Sequence, residues 1–144
     1  MTMNLVIRMR TPGGIKLGLA DVLASVPSND WSWVILEFEG YTHESSSCDV
    51  QALADTALNH PGGVATTWRE MVQLADELTD LNWLVAVAAA SEVPGDQLLR
   101  AEQYSGCSLV LSAFDGSEWE FTAPDDNPEG VAVLQSLRLR FGAS

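Results

Sequence analysis

Apolar residues that alternate with polar ones, or that follow one another in short runs, predict the β-strands of this chain. The predicted strands are Met3–Met9, Ser32–Phe38, Trp83–Ala90, Ser108–Phe114 and Ser117–Ala123. Apolar residues at helical spacing predict the helices. The predicted helices are Leu17–Val26, a segment from Ser46 or Ser47 to Leu58, Trp68–Leu78, Asp96–Tyr104, and a last helix from Asn127 to Phe141. Trp83–Ala90 is apolar throughout, which is typical of a strand buried on both faces.

Three local patterns indicate where elements begin or turn. Thr67 and Glu70 match a capping box, which predicts a helix N-terminus. Asp115-Gly116 is a strong two-residue turn signal, and it joins the last two predicted strands into a hairpin. Asn127 followed by Pro128 is typical of the start of a helix. The C-terminal half therefore contains a predicted β-hairpin followed by a helix.

The order of these elements predicts an α+β protein. An antiparallel hairpin beside strands that are linked by helices indicates a mixed β-sheet packed with about five helices. The length of 144 residues is close to that of one typical domain, and the 47% of hydrophobic residues are enough for a core. We therefore expect residues 1–144 to form a single globular domain of packed layers.

Acidic residues dominate the chain and are unevenly distributed. Twenty Asp and Glu residues against seven Lys and Arg residues give a formal net charge of −13. Between Leu17 and Leu137 the only basic residues in the sequence are Arg69 and Arg100. Such a field repels nucleic acid and anionic membranes, and it attracts basic proteins. We therefore expect a basic protein as the partner, and neither nucleic acid nor a membrane.

The sequence does not suggest export or insertion into a membrane. The most apolar run, Trp83–Ala90, is far shorter than the ~20 residues of a membrane-spanning helix. At the N-terminus Arg8 and Arg10 follow the apolar residues, whereas in a signal peptide the basic residues come first. We expect a cytoplasmic protein in which Cys48 and Cys107 stay reduced.

No motif in the sequence predicts catalysis, a metal site or a cofactor. His43, Cys48, His60 and Cys107 lack the close spacing of zinc ligands. Both cysteines have acidic or apolar neighbours, which disfavour the reactive thiolate. The two Pro-Gly-Gly turns lack the Lys-Ser/Thr pair of a phosphate-binding loop. We therefore expect no catalytic residue, no metal ligand and no cofactor.

Acidic residues on predicted strands are candidates for a binding surface. Alternation places Val34, Leu36 and Phe38 on one face, and Trp33, Ile35, Glu37 and Glu39 on the other. Glu118 and Glu120 likewise share one face of the hairpin. Each pair could act as a general acid and base, or simply lie on a solvated sheet face. As a third alternative, the four carboxylates beside Trp33 form an acidic surface with an aromatic anchor.

A second acidic cluster precedes the last helix. Asp125 and Asp126 are expected to be exposed there, where acids ordinarily stabilise the helix dipole. The other tryptophans on apolar faces, Trp68, Trp83 and Trp119, are expected in the core. The predicted partner-binding residues are Trp33, Glu37, Glu39, Glu118, Glu120, Asp125 and Asp126.

Two segments of the chain share a pattern of structural residues. In the first, Thr67-Trp68-Arg69-Glu70-Met71 begins a helix that runs on to Ala75, and the apolar strand Trp83-Leu84-Val85 follows. In the second, Leu111–Trp119 precedes a terminal helix that ends in Phe141. Together these segments, about half of the chain, resemble small bacterial immunity proteins of polymorphic toxin systems. The resemblance implies a small cytosolic protein that binds a cognate toxin and blocks its active site.

The sequence thus favours a non-enzymatic binding protein, most specifically an immunity protein that neutralises a basic toxin by direct binding. Three alternatives remain open. One is a secretion chaperone that holds an extended effector segment along an apolar groove. Another is a nucleic-acid mimic whose carboxylates are spaced like phosphates. The last is a small enzyme that uses a carboxylate pair, or Cys48 with His43.

Overall fold

The computed structural model describes residues 2–60, 62–90 and 107–141. Its elements, in chain order, are β1 (Thr2–Arg8), α1 (Leu19–Leu23), β2 (Ser32–Thr42), α2 (Val50–Asn59), β3 (Val64–Thr66), α3 (Trp68–Glu77), β4 (Leu78–Ala89), β5 (Leu109–Phe114), β6 (Glu118–Pro124) and α4 (Pro128–Phe141). The predicted helix Asp96–Tyr104 lies outside the described residues. None of the helices in the described ranges has the length and apolar character needed to cross a membrane.

The strands form one sheet in the order β1-β6-β5-β4-β2-β3, and every neighbouring pair is antiparallel. The α+β class is thereby confirmed, whereas the prediction of a mixed sheet is wrong. A mixed sheet needs parallel neighbours, but β1 and β2, which are joined through α1, are separated by three other strands. The predicted hairpin is present as β5 and β6, and the described residues contain four of the expected five helices.

One face of the sheet carries the main hydrophobic core. Helices α1, α3 and α4 contribute buried side chains to it, such as Val22, Met71 and Leu137. The fully buried aromatic residues on the sheet side include Trp33 and Trp119. Burying a large apolar side chain stabilises a fold by about 1.5–3 kcal/mol, so this face accounts for much of the driving force for folding.

The predicted local signals are confirmed, here at the capping box and at the hairpin turn. The hydroxyl of Thr67 accepts a hydrogen bond from the Glu70 amide at 3.1 Å, and the Glu70 carboxylate accepts one from the Thr67 amide at 3.0 Å. At the hairpin, Asp115 and Gly116 have φ angles of 53° and 67°. This left-handed pair matches the twist of the strands on either side, as in a type I′ turn.

The start of α2 differs from the prediction. Asp49, rather than Ser46 or Ser47, caps the helix by accepting a hydrogen bond from the Ala52 amide at 2.9 Å. The hydroxyl of Ser46 accepts instead from the Cys48 amide at 3.1 Å and therefore belongs to the preceding turn. The helix is consequently shorter than predicted at its N-terminus.

A register shift in β2 changes which face of the sheet the side chains of its second half occupy. Ile35 lies opposite Ala86, and the next pair along the two strands is Glu37 with Val85, so Leu36 is an extra residue. An extra residue in one strand moves the side chains that follow it to the other face.

This shift overturns the predicted grouping of Trp33 with Glu37 and Glu39. Trp33 points into the main core and has no exposed surface, whereas both glutamates are exposed on the opposite face. Strict alternation along the sequence cannot reveal a bulge. It therefore placed Trp33 on the same face as Glu37 and Glu39, although the structure has them on opposite faces. Trp33 is a core residue, and no partner can contact it.

Candidate functional site

The sheet face opposite the main core, here called the acidic face, carries all four strand glutamates of the prediction. Glu37 pairs with Val85, Val85 with Ser112, and Ser112 with Glu120, so one row of neighbours crosses four strands. Residues that lie opposite each other on neighbouring strands share a face. Glu39 and Glu118 each lie two residues from a member of this row and also share the face.

The two glutamate pairs of the acidic face are not contiguous. Strands β4 and β5 lie between them, which separates the pairs by three strand spacings, or about 14 Å. The centre of the face is a second buried apolar cluster. Its members are Leu36, Val85, Val87, Cys107 and Val110. The acidic face is therefore two separate acidic regions on either side of an apolar strip.

The region around Glu37 and Glu39 lies at an open strand edge. Strand β3 pairs only with Trp33–Ile35, whereas β4 pairs with β2 from Ser32 to Thr42. In the described sheet, the outer edge of β2 beyond Ile35 has no neighbouring strand. Helix α2 packs against β2 beside this edge.

A groove of about 540 Å³ runs between β2 and α2. Its residues are Leu36–Tyr41 from β2, Val50, Gln51, Ala54, Asp55 and Leu58 from α2, and Trp83 from β4. Side chains of a strand alternate between the two faces, so a cavity over one face contacts every second residue. This groove contacts six residues in a row and therefore follows the edge of β2.

The carboxylates of the groove are held by neutral hydrogen-bond donors. The pairs are Trp83 Nε1 with Glu37 Oε1 at 3.0 Å, Asn82 Nδ2 with Glu39 Oε1 at 3.2 Å, and Gln51 Nε2 with Asp55 Oδ1 at 3.0 Å. Because a carboxylate accepts about four hydrogen bonds, each one retains acceptor positions for a cationic group. Within the described ranges, the only ion pair is Lys16 with Asp80, where the hydrogen bond from Lys16 lowers the pKa of Asp80. Neutral donors thus orient the groove carboxylates, and no cationic side chain of the described residues forms an ion pair with them.

Exposed apolar surface accompanies these charges. Leu58 is 82% exposed and Tyr41 is 50% exposed. Trp83 is partly exposed, and its ring meets the ring of Phe114 edge to face with centroids 5.1 Å apart. One earlier expectation is therefore wrong, because Trp83 is not a core residue. An apolar surface beside charged groups is typical of protein-binding sites.

The other predicted site residues lie elsewhere. Glu118 and Glu120 are on β6, across the apolar strip from the groove, and Glu118 lies opposite Arg8 of β1. Asp125 and Asp126 are exposed in the turn between β6 and α4. Of the predicted residues, the structure brings Glu37 and Glu39 to the groove and leaves the remaining ones apart from it.

Among the groove residues that the sequence-based prediction missed are Tyr41, Asp55, Leu58 and Trp83. One signal was present, because Gln51, Asp55 and Leu58 follow each other at positions i, i+4 and i+7 and so share one side of a helix. A stripe that mixes polar and apolar residues is easily overlooked beside the apolar stripe of the same helix. Nothing in the sequence indicated that Trp83 would reach this edge.

Both cysteines, Cys48 and Cys107, have a raised thiol pKa. Burial raises the pKa of the Cys48 thiol, and the charges of Glu77 and Asp49 raise it further. Burial also raises the pKa of Cys107 to about 11. Both shifts disfavour the thiolate, which is the nucleophilic form. No three His, Cys, Asp or Glu side chains of residues 2–60, 62–90 and 107–141 are grouped as metal ligands would be.

Comparison of the chain with protein-family models, with curated proteins and with solved structures finds no match in any of the three. The function is therefore inferred from the groove and from the charge of the chain.

Proposed function

We propose that this chain is a non-enzymatic protein that binds a basic partner protein through the groove between β2 and α2. The observation that carries the proposal is the set of three carboxylates, Glu37, Glu39 and Asp55, held by neutral donors beside exposed apolar side chains. Charges of this kind steer a basic partner toward the site, and apolar contacts stabilise the complex once water is excluded.

The most specific form of this function is that of an immunity protein that neutralises a basic toxin. The net charge of −13 supports it, because electrostatic steering raises association rates and an inhibitor must bind quickly. The resemblance of Thr67–Ala75 and of the hairpin and terminal helix to immunity proteins of polymorphic toxin systems supports it as well. The toxin would be a basic domain whose active site the chain covers.

A capture experiment with matched variants tests the proposal. Tagged wild-type protein, the double variant Glu37→Gln/Glu39→Gln and the control Glu118→Gln/Glu120→Gln are each exposed to lysate of the source organism. The bound proteins are then identified after washes at low and high salt. Because both double variants remove the same charge from the same face, they differ only in whether the groove is affected.

We expect the wild type and the control to retain one basic protein at low salt, and the Glu37→Gln/Glu39→Gln variant to lose it. High salt should release that protein, since screening weakens exposed charge interactions. Equal retention by both double variants would contradict the groove as the binding site. Recovery of no basic protein by the wild type would contradict the function itself.

The groove also favours a second candidate, a secretion chaperone. Its helical wall carries Val50, Ala54 and Leu58 and runs along an extended strand, which suits a long effector segment. Chaperones of this class commonly work as dimers. Sedimentation of the purified protein therefore separates the two candidates, since a monomer argues against the chaperone.

A further inference from the structure

We propose that the partner enters the groove as an extended segment and adds to the sheet as a further strand, hydrogen-bonded to β2 at Leu36–Tyr41. The inference rests on the proposed function, because it specifies how the groove holds a basic partner. It commits to one occupant, a stretch of polypeptide in which basic side chains occupy alternate positions.

The backbone of β2 supplies the first argument. Strand residues direct their N–H and C=O groups sideways, toward the neighbouring strands. Over Glu37–Tyr41 the residues pair with β4 on one side, while the described sheet offers no strand on the other side of Leu36–Tyr41. Among the described residues, no backbone hydrogen bond from outside the sheet reaches this stretch. Backbone groups at an open edge are a ready template for another strand.

The shape of the groove supplies the second argument. The groove contacts six consecutive residues of the edge, a length of about 20 Å in extended chain. At one end lies Gly63, where a Cβ atom would come within 2.6 Å of the Ile35 carbonyl oxygen, so the chain there touches β2 directly. Strand β3 begins at the next residue, and an added strand would continue along β2 from that point.

Side-chain chemistry supplies the third argument, because residues opposite each other on neighbouring strands share a face. Side chains of the added strand on the acidic face would lie beside Glu37 and Glu39, where cationic groups are favoured. Trp83, which also lines the groove, offers an aromatic ring to an arginine guanidinium. Side chains at the intervening positions would lie on the same side as Phe38, where apolar groups are favoured.

The probe for this proposal is the capped hexapeptide acetyl-Arg-Val-Arg-Val-Arg-Val-amide. Two further peptides carry N-methyl groups on all arginines or on all valines. N–H groups of alternate residues point to the same side of a strand, so one of the two sets of methyl groups would block the bonds to β2. Binding is measured by titration calorimetry at low and high salt, and amide hydrogen exchange of the protein is followed in the complex.

We expect the parent peptide to bind in a salt-sensitive manner and one methylated peptide to bind at least ~10-fold more weakly, while the other stays close to the parent. Amides at Leu36–Tyr41 should exchange more slowly in the complex. The variant Ala54→Trp, which fills the groove, should reduce binding at least ~10-fold, since its side chain would occupy the space of the added strand. Ala52→Trp, on the exposed side of the same helix, is the matched control and should bind like the wild type.

Three results would overturn the added strand. The parent peptide fails to bind at low salt, or both methylated peptides bind as well as the parent, or protection from exchange appears away from Leu36–Tyr41. In the second case, weaker binding to Glu37→Gln/Glu39→Gln would still support the acidic groove. In every case the lysate capture tests the proposed function separately, because that experiment does not require the partner to bind as a hydrogen-bonded strand.

Discussion

Two segments of the sheet have the same local pattern and different surroundings. Glu37-Phe38-Glu39 in β2 and Glu118-Trp119-Glu120 in β6 both place an aromatic residue between two glutamates. In both, the aromatic side chain is buried in the main core and the glutamates lie on the acidic face. From the sequence alone, the two segments are equally good candidates for a binding surface.

What separates these segments is their position in the sheet. Strand β6 has a neighbour on each side, β1 and β5, so both of its edges are used. In the part of the sheet that the structure describes, β2 has a neighbouring strand on one side only at Glu37 and Glu39, and α2 forms a groove along the other side. The pattern Glu-aromatic-Glu therefore decides which face the charges occupy. The pairing of the strand edges decides whether a partner can use them.

The largest expected effect tests the feature that the two segments share, an aromatic side chain that is buried in the main core. Replacing Trp119 by Ala should lower the free energy of unfolding by about 3–5 kcal/mol, since the ring is fully buried. The loss includes the hydrogen bond of its indole N–H to the Leu17 carbonyl at 2.9 Å. Phe38→Ala should cost a similar amount for the same reason. Urea denaturation measures both, and a loss below ~1 kcal/mol would show that the residue is not packed as described.

A smaller effect tests the groove itself. Trp83→Phe keeps the contact with Phe114 but removes the hydrogen bond to Glu37, which should lower the free energy of unfolding by about 0.5–1.5 kcal/mol. Binding of the captured partner should weaken as well, because the Glu37 carboxylate is no longer held in place. A double-mutant cycle with Glu37→Ala, which removes the acceptor, measures the interaction, and additive effects of the two changes would contradict it.

The smallest effect tests the segment on β6. Arg8 lies opposite Glu118, so Arg8→Gln should lower the free energy of unfolding by about 0.2–1 kcal/mol at low salt. Both side chains are exposed, and high salt should therefore reduce the difference between variant and wild type. Binding to the groove should not change. A loss of binding on Arg8→Gln would show that the partner also contacts β6 and would weaken the contrast between the two segments.

Much of the fold could be predicted from the sequence, because its signals are local. The capping box at Thr67, the Asp115-Gly116 turn and the helix start at Asn127 each depend on residues within one turn of chain, and each is found in the structure. The α+β class follows from such elements. The direction of strand pairing does not, since it depends on contacts between residues far apart in the chain.

The candidate site was only partly predictable, for the same physical reason. Glu37 and Glu39 are visible as an alternating pair, but the bulge at Leu36 that separates them from Trp33 is a property of the pairing with β4. Strand β3 is only three residues long, and the sequence-based prediction left it out. Its shortness creates the open edge of β2 and hence the groove. No pattern within β2 itself could have shown this.

The open edge of β2, which we propose as the site of a partner strand, could equally admit a second copy of the chain. Unpaired strand edges are common starting points of aggregation, and charged side chains along them are a common protection. Two copies that met edge to edge at β2 would bring Glu37 and Glu39 of one chain beside those of the other, and the like charges would repel. The glutamates would therefore also keep the protein soluble while its partner is absent. Any variant that neutralises them has to be checked for self-association by light scattering before its loss of binding is interpreted.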